Sequence, residues 1–166
     1  YDISTCVFES AQDFTGEDSR ERRSLAFSKD GMTFFIFNQG GSLLPRNYHS
    51  IKQYSLSSPF DLTNITLVTE YLGPSGQRSL NTQVGSFAQG LQFNPDGTKM
   101  YITESFGENI GEFTLSSPFD LTGNVTFEGV YSASDEITDL AAINFNDDGM
   151  KMYLMDWKSG DGRGVH

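Results

Sequence analysis

Apolar positions along this chain fall into short runs with a period of two, the spacing of a strand that buries one face. Leu25 and Phe27, Leu91 and Phe93, and Ile143 and Phe145 each alternate with small or polar residues and predict three such strands. Each is followed by an Asp-Gly pair, Asp30-Gly31, Asp96-Gly97 and Asp148-Gly149, a tight-turn signal because Gly accepts a positive φ and Asp tolerates one. Beyond the turns come Phe34-Phe35-Ile36-Phe37, Met100-Tyr101-Ile102-Thr103 and Met152-Tyr153-Leu154-Met155, apolar on both faces and therefore expected to be covered on both. A third kind of strand, Ile-x-x-Tyr/Phe-x-Leu, starts at Ile51 and Ile110. A fourth runs from Ile65 to Tyr71 and from Val125 to Tyr131, with a shorter relative at Cys6 to Glu9. No helical periodicity of useful length is present.

The pattern repeats. Leu-Ser-Ser-Pro-Phe-Asp-Leu-Thr occurs at residues 56 to 63 and, letter for letter, at 115 to 122. A second marker recurs as Phe27-Ser28-Lys29-Asp30-Gly31, Phe93-Asn94-Pro95-Asp96-Gly97 and Phe145-Asn146-Asp147-Asp148-Gly149. The unit is about 50 to 65 residues long, with its length variation confined to loops. Four-stranded antiparallel units that are apolar on both faces and repeat in series predict an all-β fold, a β-propeller of about three blades. The repeated turns read as structural. Pro59 and Pro118 fix φ, Asp61 and Asp120 can accept from nearby backbone amides, and Phe60 and Phe119 can plug the end of a blade.

The Phe-x-x-Asp-Gly-x-x-Met-Tyr string at Phe93 to Tyr101, with its relative at Phe145 to Tyr153, resembles the F-S-P-D-G-x-x-x-Y-V pattern of YVTN-type β-propeller repeats. The octapeptide is similar to the L-S-T-P-W-D-L-S segment of propeller repeats in marine bacterial and viral proteins. The resemblance implies the fold; propellers of this kind host binding, structural and enzymatic roles alike. The first unit departs from it, with Phe34-Phe35 in place of Met-Tyr and no Pro-Phe-Asp-Leu-Thr after Tyr1-Asp2-Ile3-Ser4-Thr5.

As a single propeller segment over 1–166, the chain divides into a last strand at 1–5, a partial blade at 6–9, blades at 25–71 and 91–131, and a blade at 143–166. The last lacks its final strands unless residues 1–9 complete it. Three blades are too few for a closed ring. Either the chain is part of a longer polypeptide that supplies further blades, the reading favoured by the absence of an initial Met, or copies join by terminal strand exchange, a dimer then making six blades.

Composition narrows the function. A net charge of −11 and a pI near 4.4 disfavour nucleic acid and anionic lipid. Arg20, Arg22 and Arg23 alternate with Glu17, Asp18 and Glu21 and predict a self-neutralised solvated loop. No apolar run approaches a membrane span. The single Cys6 makes no internal disulfide and offers no metal-ligand spacing. G-x-S-x-G, P-loop, H-E-x-x-H and dinucleotide motifs are all missing.

The first-to-second and third-to-fourth strand connections share one rim, which the repeats make uniform. The opposite rim carries loops that differ from unit to unit, so a ligand site is expected there. On that rim Glu17, Asp18, Asp135, Glu136 and Asp139 are candidates for a cation site near the central channel, Arg20 is a candidate contact, and Trp157 suits stacking on a sugar or peptide, although packing in the core or rim is the favoured role for so large an aromatic. No calcium-loop spacing is present, so plain solvated acid on an acidic protein is the favoured reading of the carboxylates. His49 and His166 read as surface residues, and the triplets at Asn64 and Asn124 as strand starts. The expected function is a non-catalytic interaction or structural module without cofactor, extracellular or on a virion surface, presenting its variable rim to a protein or glycan. The alternative is a lactonase-like hydrolase or lyase with calcium or another divalent cation in the channel.

Overall fold

The computed structural model of the protein describes residues 21–40, 48–76 and 79–156. The strands predicted at 1–5 and 6–9 and the end of the third unit beyond Asp156 lie outside them. Within them the fold is all-β. A first sheet joins β1 (Glu21–Phe27), β2 (Thr33–Gln39), β3 (Ser50–Leu56) and β4 (Ile65–Tyr71). A second joins β5 (Ala88–Phe93), β6 (Lys99–Glu104), β7 (Asn109–Leu115) and β8 (Val125–Ser132). Both are antiparallel meanders with each strand beside its sequence neighbour. β9 (Leu140–Phe145) and β10 (Met152–Asp156) form an antiparallel pair.

The repeat extends to irregularities. The first and second strands of the three sheets slip register at equivalent positions, leaving Arg23, Gln89 and Ala141 unpaired in the ladders. The third and fourth strands slip at Val68 and Glu128. Such bulges sharpen local twist, and their recurrence gives the sheets one shape.

The Asp-Gly turns are longer than the two-residue hairpins that the dipeptide alone suggests. In the second sheet the Asn94 and Gly97 amides donate to Lys99 O (3.1 Å) and Asn94 O (3.0 Å), the Asn94 side chain accepts from Lys99 N, and Asp96 accepts from Thr98 N. The first and third sheets repeat this around Ser28 and Asn146. Gly31, Gly97 and Gly149 hold φ of 71°, 74° and 71°.

The octapeptide closes over this turn. Phe60 N donates to Gly31 O (2.8 Å) and Phe119 N to Gly97 O (2.9 Å), while Leu56 N and Leu115 N donate to Met32 O and Thr98 O. To reach these positions Phe60 and Phe119 take φ of 60° and 54°, a region that costs a bulky residue about 1–2 kcal/mol. Their rings lie flat on the glycines: a β-carbon added to Gly31 would sit 2.5 Å from the Phe60 ring, and one on Gly97 would overlap the Phe119 ring. The following Asp61 and Asp120 each accept from the amide and hydroxyl of Thr63 and Thr122, and these bonds hold both carboxyls below the ordinary aspartate range.

The sheets stack face to face in one direction, with β1 against β5 and β5 against β9. Phe35, Phe37 and Ile51 of the first sheet meet Leu91, Phe93, Met100, Ile102, Phe113 and Leu115 of the second, and the Phe35 and Phe93 rings are 4.6 Å apart. The far face of the second sheet, through Ile110 and Tyr101, meets Ile143 and Leu154. The near face of the first sheet gathers Phe34, Ile36, Tyr54 and Leu56 in a cluster of its own. Leu25, predicted half-buried, is 62% exposed, because its side chain lies on that near face, which no described sheet precedes, whereas its equivalent Leu91 is covered by the first sheet and Ile143 by the second. Met152, Tyr153 and Met155 of β10 are exposed as well, so this strand is not covered on both faces as expected. The Glu21, Arg22 and Arg23 segment, predicted to be loop, opens β1 instead. Arg23 pairs with Glu21 and donates to Gln39 Oε1 (2.7 Å), which ties the basic group into the sheet.

The missed element is a short helix, α1 (Ser79–Val84), inside the connection from the first sheet to the second. Six residues are too few for an amphipathic period, and Leu80 and Val84, four apart, bury into the main core.

The clasp can be weighed. Gly97→Ala meets both the positive φ and the Phe119 ring, whereas Gly149→Ala meets only the φ, since no described ring lies over it. Chemical denaturation is expected to show a loss of about 1 kcal/mol for Gly149→Ala and about 2–3 kcal/mol for Gly97→Ala.

Candidate functional site

Antiparallel meanders put the β1–β2, β3–β4, β5–β6, β7–β8 and β9–β10 turns on one rim. The β2–β3 and β6–β7 connections and the links between sheets lie on the other. Among the described residues the turns of the first rim direct their polar groups at their own backbone. The second rim is where the candidates fall.

His49, expected at the surface, is fully buried there. Its Nε2–H donates to Gly85 O (2.9 Å), its Nδ1 accepts from Gly40 N (3.2 Å), and its ring packs 5.5 Å from that of Phe37. The His49 amide donates to Asn81 Oδ1 (2.7 Å), so the end of the β2–β3 loop is fastened to α1 and the turn after it. The correction has a simple cause: His49 precedes β3, and the link between the sheets folds back over it. Burial lowers the pKa of this imidazole, and the charge of Glu104 opposes the shift.

Glu104 is buried at the end of β6, and its two oxygens accept from Phe106 N (3.2 Å) and Gly107 N (2.8 Å). It thereby shapes the β6–β7 loop and lifts Phe106 to the surface. Ser105 N and Oγ both donate to Phe87 O, drawing the α1–β5 link against that loop. The result is an edge-to-face pair, Phe87 and Phe106, with ring centroids 4.1 Å apart and 45% and 70% exposed. Two exposed phenyl rings set nearly at right angles, on loops that a buried carboxylate helps to shape, make an angled apolar patch for a sugar face or an apolar side chain.

Of the sequence candidates, Glu17, Asp18, Arg20 and Trp157 lie outside the described residues, as does His166. Asp135 and Glu136 stand exposed in the turn after β8, where Glu136 N and Ile137 N donate to Ala133 O and the Tyr131 hydroxyl donates to Glu136 Oε1 (3.4 Å). Asp139, at φ 61°, donates its amide to Glu108 Oε1 (3.2 Å). Among the described residues no three His, Cys, Asp or Glu side chains gather as metal ligands. The Phe87–Phe106 pair went unread in the sequence. Its only signal was a Phe in each of two unlike loops, and nothing local brings positions 87 and 106 together.

No protein-family model matches the chain, and no curated protein matches it. Among solved structures it is similar to a candidate 6-phosphogluconolactonase from Bacteroides fragilis NCTC 9343, at 11% identity and a TM-score of 0.52 over 80% of this chain and 31% of that one. It is also similar to a candidate 6-phosphogluconolactonase from Bacteroides uniformis ATCC 8492, at 17% identity and a TM-score of 0.55 over 88% of this chain and 36% of that one. At these identities the likeness is one of fold, and the chain spans about a third of the length of either protein.

The His49 environment sets a pH dependence. The folded-state pKa lies below 6.5, so on acidification the unfolded chain takes up this proton first. Stability is therefore complete above about pH 7 and declines as pH falls through 6.5 toward the depressed value, by no more than about 1.4 kcal/mol per pH unit. Denaturation midpoints between about pH 7.5 and 5 are expected to drop in the native protein and to stay flatter in His49→Gln.

Proposed function

We propose that the chain is a run of β-propeller blades of the YVTN-type repeat class, working as a non-catalytic interaction or structural module outside the cell or on a virion. Its ligand, a protein or a glycan, is received on the rim where the loops differ. The observation that carries this reading is the contrast between rims. Equivalent residues on one are consumed in a clasp that recurs in the first two sheets. The other holds an exposed aromatic pair that has no equivalent among the described residues of the first sheet and is raised by a buried acid. Series stacking of four-stranded sheets through their first strands supports the propeller assignment, as does the likeness of fold.

A glycan array and a surface-protein binding panel test the site. The native protein is expected to bind a ligand that Phe87→Ala/Phe106→Ala loses by about tenfold or more, since each ring contributes on the order of 1.5–3 kcal/mol when covered. Phe60→Ala, on the other rim, is expected to change stability and leave that affinity alone. Silence of the native protein across both panels would sink the reading.

A second reading, a lactonase-like hydrolase with a divalent cation in the channel, is supported by the fold likeness to two candidate 6-phosphogluconolactonases. Turnover of 6-phosphogluconolactone that chelator removes and calcium restores would favour it; the interaction-module reading expects hydrolysis at the uncatalysed rate.

A further inference from the structure

Asn64-Ile65-Thr66 and Asn124-Val125-Thr126 are the two places in the chain where an Asn is followed two residues on by Ser or Thr with no Pro between, the acceptor triplet for N-linked sugar. Both stand on the uniform rim at equivalent points. Ile65 pairs with Leu56 and Val125 with Leu115, and the Asn carbonyls accept from Ser57 N (3.3 Å) and Ser116 N (2.9 Å). The second copy reaches this point with one residue more, Gly123. That residue is taken up inside the turn, where a β-carbon on it would sit 2.5 Å from Ser116 Oγ and where this same oxygen accepts from Asn124 N (3.0 Å). The triplet therefore keeps its register with the strand although the turn before it has changed length.

The fold uses the backbone of these two residues and not their side chains. Elsewhere the side chain of Asn38 donates to Ser50 Oγ, and those of Asn81, Asn94 and Asn146 each accept from a backbone amide. Asn64 and Asn124 are exposed, as are Thr66 and Thr126, and their amides reach only exposed hydroxyls nearby. Asn64 Nδ2 donates to Thr63 Oγ1 (3.3 Å) and Asn124 Nδ2 to Thr126 Oγ1 (3.1 Å). One amide hydrogen is used in each case, and the second has no partner among the described residues. The turn itself is held by Asp61 and Asp120.

The same triplets open the two outer strands. β4 and β8 end their sheets, each with one edge unpaired among the described residues, and they expose Leu67, Val68 and Val130. Each strand carries one Glu and a bulge, and neither contains the Lys, Arg or Pro that commonly keeps an edge from pairing with another chain.

We propose that Asn64 and Asn124 are N-glycosylated, and that the two sugar chains screen the β4 and β8 edges while leaving the opposite rim clear. In the transfer the Asn Nδ2 attacks the anomeric carbon of a lipid diphosphate-linked oligosaccharide. The N–C bond forms, the bond from that carbon to the diphosphate oxygen breaks, the lipid diphosphate leaves, and the amide gives up one proton. One N–H remains, enough for the bond to Thr63 or Thr126. The sugar adds bulk and hydration beside the open edge. The inference rests on the extracellular part of the reading above and is independent of what the Phe87–Phe106 patch binds.

The test is the full chain made behind a cleavable secretory leader in eukaryotic cells, with peptide-level mass spectrometry before and after treatment with peptide-N-glycosidase. Oligosaccharide is expected at both Asn64 and Asn124 and is removed by the enzyme. Asn64→Gln and Thr66→Ala each lose the first addition, Asn124→Gln and Thr126→Ala the second, and Thr126→Ser keeps it. The double variant Asn64→Gln/Asn124→Gln is expected to fold and then to aggregate faster than the glycosylated protein as concentration rises, with slowed amide exchange along β4 and β8. Phe87→Ala/Phe106→Ala is expected to carry both sugars, so silence of the ligand panels leaves this result standing. The sites are overturned if either triplet of the secreted chain stays bare, or if the glycosylated protein unfolds at a lower denaturant midpoint than the double variant, which would set the sugars against packed structure. Equal aggregation of the two forms overturns the screening of the edges. Glycosylation on forced secretion, with bare triplets in protein recovered from its own source, overturns the proposal through the extracellular reading and not through the sites.

Discussion

The four-stranded sheets of this protein are arranged around glycines that must lack a β-carbon. Gly31 and Gly97 take a left-handed conformation at the turn between the first two strands of a sheet, and a phenyl ring from the turn between the last two lies directly upon each. The ring arrives there only because Phe60 and Phe119 accept a strained φ, and the strain is offset by the amide bond to the glycine carbonyl and by contact with Phe27 or Phe93. Each four-stranded sheet is thereby closed at one end by its own sequence. That explains why the chain writes the same octapeptide twice: shape at this rim is set by atoms in contact and leaves no room for variation.

A closed end makes each sheet a unit of constant geometry, and constant units stack in a constant way. The faces of Phe35 and Tyr101 look forward along the series, and those of Phe34 and Met100 look back. Such head-to-tail packing has no natural stopping point of its own, since the forward face of one sheet always matches the backward face of the next. The groove past Tyr131, part apolar and part charged, and the exposed side chains of β10 are what that arrangement presents where the described residues stop covering it. Freedom is left to the opposite rim, where loops carry no closing duty and where Glu104 and His49, both buried, are spent on holding loops in place.

Much of this was legible residue by residue. Alternation at Leu91 and Phe93, the run Phe34 to Phe37, and the Asp-Gly and Pro-Phe-Asp-Leu-Thr turns located every described strand to within a few residues, because each rests on contacts between near neighbours in the chain. The failures were those of distance. His49 looked like a surface residue until the link between sheets folded over it. Arg23 looked like loop until Gln39 took its guanidinium. The helix at 79–84 was too short to announce itself, and Leu25, identical in pattern to Leu91, is exposed because it lies on the face turned away from the second sheet.

The candidate rim site was the least legible part. Acidic residues and a Trp drew the eye by their chemistry, while the pair that the fold brings to the surface, Phe87 and Phe106, is ordinary in composition and unusual only in being assembled. Taken alone, the amino-acid order determined the strands, their succession and the turns that join them, since period and turn chemistry act over a handful of bonds. Which face each sheet buries, which loops meet and which glycine is covered were decided by tertiary structure, because those depend on contacts such as Gln53 with Leu121 and His49 with Gly85 that no local pattern encodes.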